Sequence, residues 1–537
     1  MEGFGKSSLI TQKAGCCIER LLQVFDTLAW RNHTEHVEAD AQVGSTGSGG
    51  EEGLSKQHQE YLLKRHGTFQ LNPIPSMDDA DPYNWPTWKV SCLYHIAEAD
   101  HLTLVCHVET HNLALVAFHA MMATFTAAAI QCAFVEIVED LNVSVHRASY
   151  LTSLVIAVLG GAPLFWKPFA DRYGRRPIFL MSLVCSLVGN IGCARSPSYA
   201  TMGLCRAITG FSICPAAAIG SGVVREIYFT RDCGRYVGIW ALMVTLGVPS
   251  APFIFGIVVT RVGYRWIYWT LAIVNGVQLV LYFFLGRETL YVPSTRVGEH
   301  PIKGRRFGIR RLDPTPFAFK DFFGSLLLAV RPCVLVPAVA YSMVFLLAGI
   351  LISIEIPQVF PEKFDLDAQQ VGLQNLAIII GSGLGEHLGG HLPDQWMWHR
   401  ERRSGRAPAP EYRLWLGYVG IGLAICGTVV FLVQTENASG QWNVTPLVGA
   451  AIAAAGNQVV TTVNITYAVQ CYSRDAASVG VFITFVRQTW GFLGPFWFPE
   501  MLDNVGFYGS CGIIVALLIC GSVIPMMSLQ WQGHQWR

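Results

Sequence analysis

The residues best suited to chemistry in this chain form the string Asp171-Arg172-Tyr173-Gly174-Arg175-Arg176-Pro177, at the end of a run that Gly161 opens. One carboxylate and three guanidiniums around a glycine suit reversible ion pairing, not bond cleavage. Asp171 can accept hydrogen bonds from donors at a helix N-terminus, and Gly174 permits a tight turn. Arg175 and Arg176 can bridge to carboxylates of nearby helices, and Pro177 suits the start of a helix. Arg206 sits inside an apolar run, where a charge is expensive and marks function by default. Glu386 lies in Gly381-Ser-Gly-Leu-Gly385-Glu386-His-Leu-Gly389, whose glycines four apart form a close-packing face. Glu386 is expected to pair with an arginine or to couple a proton. Glu136, Glu139 and Asp140 crowd the end of one apolar run as a solvated rim or a proton entrance, and Glu355 ends another. Gln131, Asn457, Gln458, Asn464 and Arg487 are polar groups suited to a cavity between helices, with Trp490, Phe492, Phe496 and Trp497 as aromatic walls. No Ser–His arrangement or His/Asp/Glu cluster recurs on paired helices, so an enzyme is not expected.

Composition dictates the elements that hold these groups. Of 537 residues, 52% are apolar and 14% charged, against roughly 45–50% and about 25% in soluble domains. With a mean hydropathy of +0.38, the chain has too little polar surface for an ordinary cytosolic enzyme, a disordered protein or a collagen. A net charge of +1 leaves no field for nucleic acid. The 15 cysteines are scattered through apolar runs and form no disulfide framework. A bilayer core needs roughly 20 apolar residues per helix. Runs of that kind fall near 112–135, 149–168, 178–195, 199–223, 236–260 and 267–286, then near 332–355, 369–390, 412–433, 446–469, 478–499 and 505–529. The expectation is an all-α polytopic membrane protein, with twelve transmembrane helices in two pseudo-symmetric six-helix bundles at 112–286 and 332–529. A polar tail (1–111), a linker (287–331) and a short C-terminus (530–537) complete the plan. No period-two alternation supports a strand barrel.

Orientation follows from lysine and arginine in the loops. With the N-terminus inside, 20 basic residues fall on inside loops and five on outside loops. Both termini and the linker are therefore expected to be cytoplasmic. The sequons at Asn142, Asn437 and Asn443 then fall on the outside as candidate glycosylation sites, and Asn32-His-Thr on the inside tail.

The string from Asp171 to Pro177 resembles the signature loop of the major facilitator superfamily. Gly389-Gly390-His-Leu-Pro-Asp394, followed by Arg400 to Arg403, resembles an eroded second copy, as a duplicated six-helix unit implies. Asp81-Pro-Tyr-Asn84-Trp85-Pro86, Pro410-Glu411-Tyr-Arg413-Leu414 and Arg487-Gln-Thr-Trp-Gly-Phe-Leu-Gly-Pro-Phe are similar to elements of fungal members, in the twelve-span drug:proton antiporter branch. Arg206-Ala-Ile-Thr-Gly210 resembles the branch's R-x-x-x-G element, which implies proton coupling. Gly247-Val-Pro249-Ser-Ala251-Pro252-Phe-Ile-Phe255-Gly256 resembles its antiporter element, with Ala251 and Phe255 where the branch has glycines. The resemblance implies a gating role for Gly161, Asp171, Arg172, Gly174, Arg175, Arg176 and Asp394.

Residues 90–111 interrupt this pattern and read as an insertion or a retained intron. Their histidines at 95, 101, 107 and 111 match no zinc spacing, so neither metal nor cofactor is expected. The leading expectation is proton-coupled efflux of small organic molecules, drugs or fungal secondary metabolites, by alternating access. The partners are then the small-molecule substrate, protons and the lipid bilayer, and a monomer suffices. The location is the plasma membrane, with the vacuolar membrane as the alternative. Proton-coupled uptake of polyamines, other cations or nutrients is the alternative function. A non-transporting sensor is a minor one, because only about eight residues follow the last span. Tags at Arg537 and within 287–331 should both resist impermeant reagent on intact cells, and labelling of either would overturn the orientation.

Overall fold

The computed structural model describes residues 55–67, 71, 73–78, 81–84, 108–291, 311–312, 316, 319–404, 409–438, 440, 442–472 and 475–536. Most of the insertion-like segment, residues 90–107, lies outside them. Its last residues begin the helix Val108–Ala128. The chain divides into a unit over 1–69 and one over 70–537. In the first unit the expected tail carries a helix, Lys56–His66. Ser55 caps its start, Gly67 at φ 72° ends it, and Lys64, Arg65 and His66 face its negative end.

The second unit is a bundle of helices. Ten are long and apolar enough to cross a membrane among the described residues: α1 His111–Leu141, α2 Arg147–Tyr173, α3 Arg175–Ala194, α4 Tyr199–Ile227, α5 Tyr236–Val262, α6 Arg265–Leu285, α7 Pro332–Phe364, α9 Pro410–Asn437, α10 Thr445–Cys471 and α12 Phe498–Trp536. Two shorter elements stand where the eighth and eleventh spans are expected. They are α8, made of Ala368–Gln374, Leu376–Glu386 and Leu392–Ser404, and α11, Ala476–Leu493. The first is broken at Asn375 and carries a wide π turn at His387–His391, and the second is short and holds Arg487. Large apolar side chains such as Val188, Leu204, Ile273, Phe284 and Val419 stay exposed on the outer faces. A lipid environment explains that arrangement, and water does not.

Several expected boundaries move. The loop expected between spans two and three shrinks to one residue, because α2 runs on to Tyr173 and α3 starts at Arg175. Gly174 makes the turn at φ 94°, and a Cβ there would lie 2.3 Å from Glu288 Oε2. Glu355 does not end its span. The helix runs nine residues further to Phe364, and Glu355 is buried inside it. Span one also continues to Leu141, after a tighter turn at Gln131–Ala133. Asn142 ends it in the left-handed region at φ 50°, which a short polar side chain tolerates.

Close packing holds the second half together. A Cβ on Gly381, Gly385 or Gly389 would lie 2.1, 2.4 and 2.9 Å from backbone atoms of Ala451, Ala455 and Val459. This glycine face therefore brings α8 directly onto the backbone of α10. Gly456 does the same for α10 on α9, at 2.3 Å from Ala424 N. Gly456→Ala should cost about 1–3 kcal/mol by overpacking. Gly422→Ala on the same helix pair, where a Cβ meets nothing within 4 Å, should be neutral or slightly stabilising. Thermal unfolding of the detergent-solubilised variants checks this, and equal losses at the two sites would overturn it.

Candidate functional site

At the end of the bundle bearing the arginine string, Arg175 is 3% exposed and bound by two carboxylates. Its Nη1 donates to Asp171 Oδ1 at 2.6 Å and its Nη2 to Glu226 Oε1 at 2.8 Å. Lys167 Nζ donates to Asp171 Oδ2 at 2.7 Å, and Thr289 Oγ1 to Glu226 Oε2 at 2.9 Å. The cluster thereby joins α2, α3, the end of α4 and the segment after α6. The carboxylate at the start of α3 is Glu288, and not Asp171 as expected. Its oxygens accept from the backbone N–H of Arg175 at 2.7 Å and of Arg176 at 3.1 Å, where the helix dipole favours an anion. Burial nevertheless pushes the Glu288 carboxyl above its ordinary range, partly offset by backbone donors from Leu290, Arg175 and Arg176. Arg172 bridges to Asp321 and donates to Pro316 O at 3.0 Å, and Arg176 donates to Phe283 O at 2.7 Å. Gly161 is no part of this cluster. It is exposed ten residues earlier on α2, with open space around it. Asp394 lies on the helix Leu392–Ser404, and its side chain lies outside the described ones.

Glu226, Glu288, Thr289 and Asp321 escaped the sequence reading. Each is an acidic or hydroxyl residue at a helix end or in the linker, where a carboxylate is ordinary. Only folding brings them to the arginines. Asp81 and Asn84, from the element before the first span, also brace this end. Asp81 accepts from Ser76 N at 2.8 Å, Asn84 donates to Ser76 O at 2.6 Å, and Tyr83 donates to the carbonyl of Arg225.

Between the halves lies a narrow internal space in two lobes of about 30 and 20 Å³, room for a water or two each. Helices of the two halves touch at both ends of the bundle. At the arginine end, a Cβ on Gly222 would lie 2.7 Å from Ala477 Cβ. At the other end, one on Gly256 would lie 2.6 Å from Ala368 O. The antiporter-like element runs along this contact: Gly247 packs against Thr124 and Met121 of α1, Pro249 lines the cavity, and Pro252 O abuts Gly372 of α8. Phe255, at a place where the branch has glycine, fills space against Phe125 with ring centroids 5.3 Å apart.

Of the expected cavity residues, Asn457 and Arg487 line it. Gln131, Gln458, Asn464 and Trp490 are absent from both linings, and the aromatic walls are Phe345, Tyr341 and Trp240 in place of Trp490, Phe492, Phe496 and Trp497. α11 turns Arg487 inward, Trp490, Phe492 and Trp497 are half-buried against the core, and Phe496, past the end of α11, is exposed. Gln458 instead donates to Glu386 Oε2 at 2.7 Å, as does Thr462 Oγ1 at 2.7 Å. That carboxylate rests against Gly238 of α5, where a Cβ would lie 2.2 Å from Oε1.

Arg206 is 1% exposed and is held by backbone carbonyls. Its Nε donates to Leu151 O at 3.1 Å, and its Nη2 to Ala127 O at 3.1 Å and Thr126 O at 3.4 Å. The turn in α1 frees those last two carbonyls. At the end away from the arginine string, Asp140 accepts from Tyr264 and from Arg265 Nη2 at 2.9 Å, while Glu136 Oε2 is buried without a partner. Of the sequon residues, Asn437 accepts from Tyr508 at 2.6 Å and Asn443 from Thr445 Oγ1 at 2.8 Å.

The profile of the Major Facilitator Superfamily matches residues 113–495. An uncharacterized transporter of Schizosaccharomyces pombe is 21% identical over 485 residues, covering 87% of this chain and 96% of its own. Efflux pump radE of Floropilus chiversii is 24% identical, covering 86% of this chain and 83% of its own. Citrate exporter 1 of Aspergillus niger is 27% identical over 340 residues, covering 60% of this chain and 62% of its own. The helical bundle, its arginine string and the profile match agree that this chain belongs to the Major Facilitator Superfamily, as a multi-pass membrane transporter of small molecules.

Proposed function

We propose that the protein is a proton-coupled exporter of small organic molecules that works by alternating access. The observation that carries this reading is the internal space between two halves lined by Arg487, with a buried ion-pair cluster at one end of the bundle. In this reading the arginine end is cytoplasmic, in keeping with the loop charges, and the Asp171–Arg175–Glu226 cluster latches it. The cluster holds together the first-half helix ends that meet α11 there, so loaded and empty forms can differ in how those ends sit against it. The antiporter-like element along α5 favours export, as do the names of two relatives, an efflux pump and a citrate exporter. Uptake of polyamines or other cations fits less well, since the cavity lining holds a guanidinium and no carboxylate. Arg206 ties α1, α2 and α4 together where a coupling charge would act, and a monomer contains the whole site.

Two tests follow, both in inside-out vesicles carrying the protein, with labelled organic acids and cationic dyes as trial cargo. An acid lumen should drive accumulation, and a protonophore should abolish it. Arg206→Ala should remove the pH-driven component and Arg206→Lys retain part of it. Unchanged pH-driven flux in the alanine variant would make Arg206 purely structural. For the latch, a charge-assisted hydrogen bond is worth roughly 1.5–3 kcal/mol, so Asp171→Asn and Glu226→Gln should each slow transport about tenfold or more. Because both act through Arg175, the double variant should be scarcely worse than the poorer single. Multiplying effects would show that the two carboxylates act separately.

A further inference from the structure

Arg487 is partnered more thinly than Arg175 or Arg206. It is 6% exposed, and no carboxylate lies within ion-pair distance of it among the described residues. Its Nη1 donates to Tyr341 Oη at 3.1 Å, its guanidinium lies 5.0 Å from the Phe345 ring centroid, and its Nε has no partner. It is the one residue besides Val244 that lines both lobes, and it is the single charged residue in either lining. The polar company is neutral. Asn457 Oδ1 and Ser382 Oγ lack partners at the first lobe, and Ser353 also lines it. The remaining walls are largely apolar, among them Val244, Val248, Ile350, Ile352, Ile465 and Ile483.

A desolvated guanidinium is costly until a matching anion meets it, and its planar donors suit one carboxylate held by two hydrogen bonds. A polyanion would leave its further carboxylates against aliphatic walls, where an unpaired charge is disfavoured. A cation would face the guanidinium directly. We infer that Arg487, set between two narrow apolar lobes, is the docking point for the carboxylate of a small monoanionic organic acid, whose apolar body lies along these walls once the halves part to admit it. This deepens the proposed function and rests on it only in taking this cavity as the cargo site. Tyr341 acts as a positioning residue by fixing the fork of Arg487.

The test uses the full purified chain and its intrinsic tryptophan fluorescence, with Trp240 in one lobe as the reporter. Benzoate, benzamide, benzyltrimethylammonium and citrate are titrated at pH 7.5. Benzoate should bind at least tenfold more tightly than each of the others. Arg487→Gln should abolish the preference for benzoate over benzamide, and Arg487→Lys should keep part of it. Should Arg487→Gln not fold, Tyr341→Phe serves: it should weaken benzoate several-fold and leave benzamide unchanged. Benzamide matching benzoate, the ammonium or citrate binding most tightly, or an unaltered preference in both the glutamine and phenylalanine variants would overturn the inference. Proton-driven flux of a cationic dye without selective benzoate binding would sink it and leave the exporter standing. Selective benzoate binding without pH-driven flux of any cargo would do the reverse.

Discussion

A guanidinium inside an apolar bundle must be given a partner, and three of the buried ones here are given theirs in three different ways. Arg175 shares two carboxylates, Arg206 takes the carbonyls of a broken turn, and Arg487 has a phenol and an aromatic face. The cost of desolvating a charge falls only as far as the partner compensates it. The first arrangement is nearly neutral as a group. The second depends on helix geometry, since α1 must stay broken near Ile130 to offer its carbonyls. The third leaves a net positive charge where the cavity lies.

That ordering divides the labour of the fold. Arg175 ties the ends of α2, α3 and α4, and its cluster lives on a turn one residue long. Gly174 can make that turn only because it lacks a Cβ, which leaves room for Glu288 to cap α3. The second half places a carboxylate beside its own string. Its carboxylate, Glu386, is held by an amide and a hydroxyl of α10 and lies flush with Gly238 of α5. The two halves share a helical plan and close the same end by different chemistry, as expected where a repeat has diverged.

Much of this was legible in the sequence because bilayer thickness imposes long apolar runs, and because an arginine-rich string between two of them has few structural uses. The glycine face of Gly381, Gly385 and Gly389 was readable for a related reason: a spacing of four fixes one side of a helix. What escaped depended on the third dimension. Asp171 was expected at a helix N-terminus, yet Glu288, distant in sequence, fills that place. Glu355 looked like the end of a span because it is charged, but burial in the packed bundle lets the helix continue past it. The aromatics after Arg487 were expected to wall the cavity, yet Trp490 and Phe492 pack into the surrounding core, and Phe496 and Trp497 lie past the end of α11. Which way a helix faces is set by its partners, and hydrophobicity alone does not record it when both lipid and core are apolar.

The placement of Arg487 also bears on energetics, on the proposed reading of an anionic cargo. The empty cavity then carries one positive charge and the loaded cavity none. Reorientation of the cargo-loaded form moves little net charge across the membrane, while the return leg, on which the proton has replaced the cargo, carries the uncompensated positive charge. A cell interior at negative potential favours that return toward the cytoplasm, by up to roughly 2.3 kcal/mol per 100 mV for a charge crossing the whole field. The membrane potential thus assists the reset of an exporter, and it would oppose the reset of an importer built on the same cavity. One uncompensated arginine therefore links cargo class and direction, because the charge that attracts a carboxylate is the charge that the field pulls home.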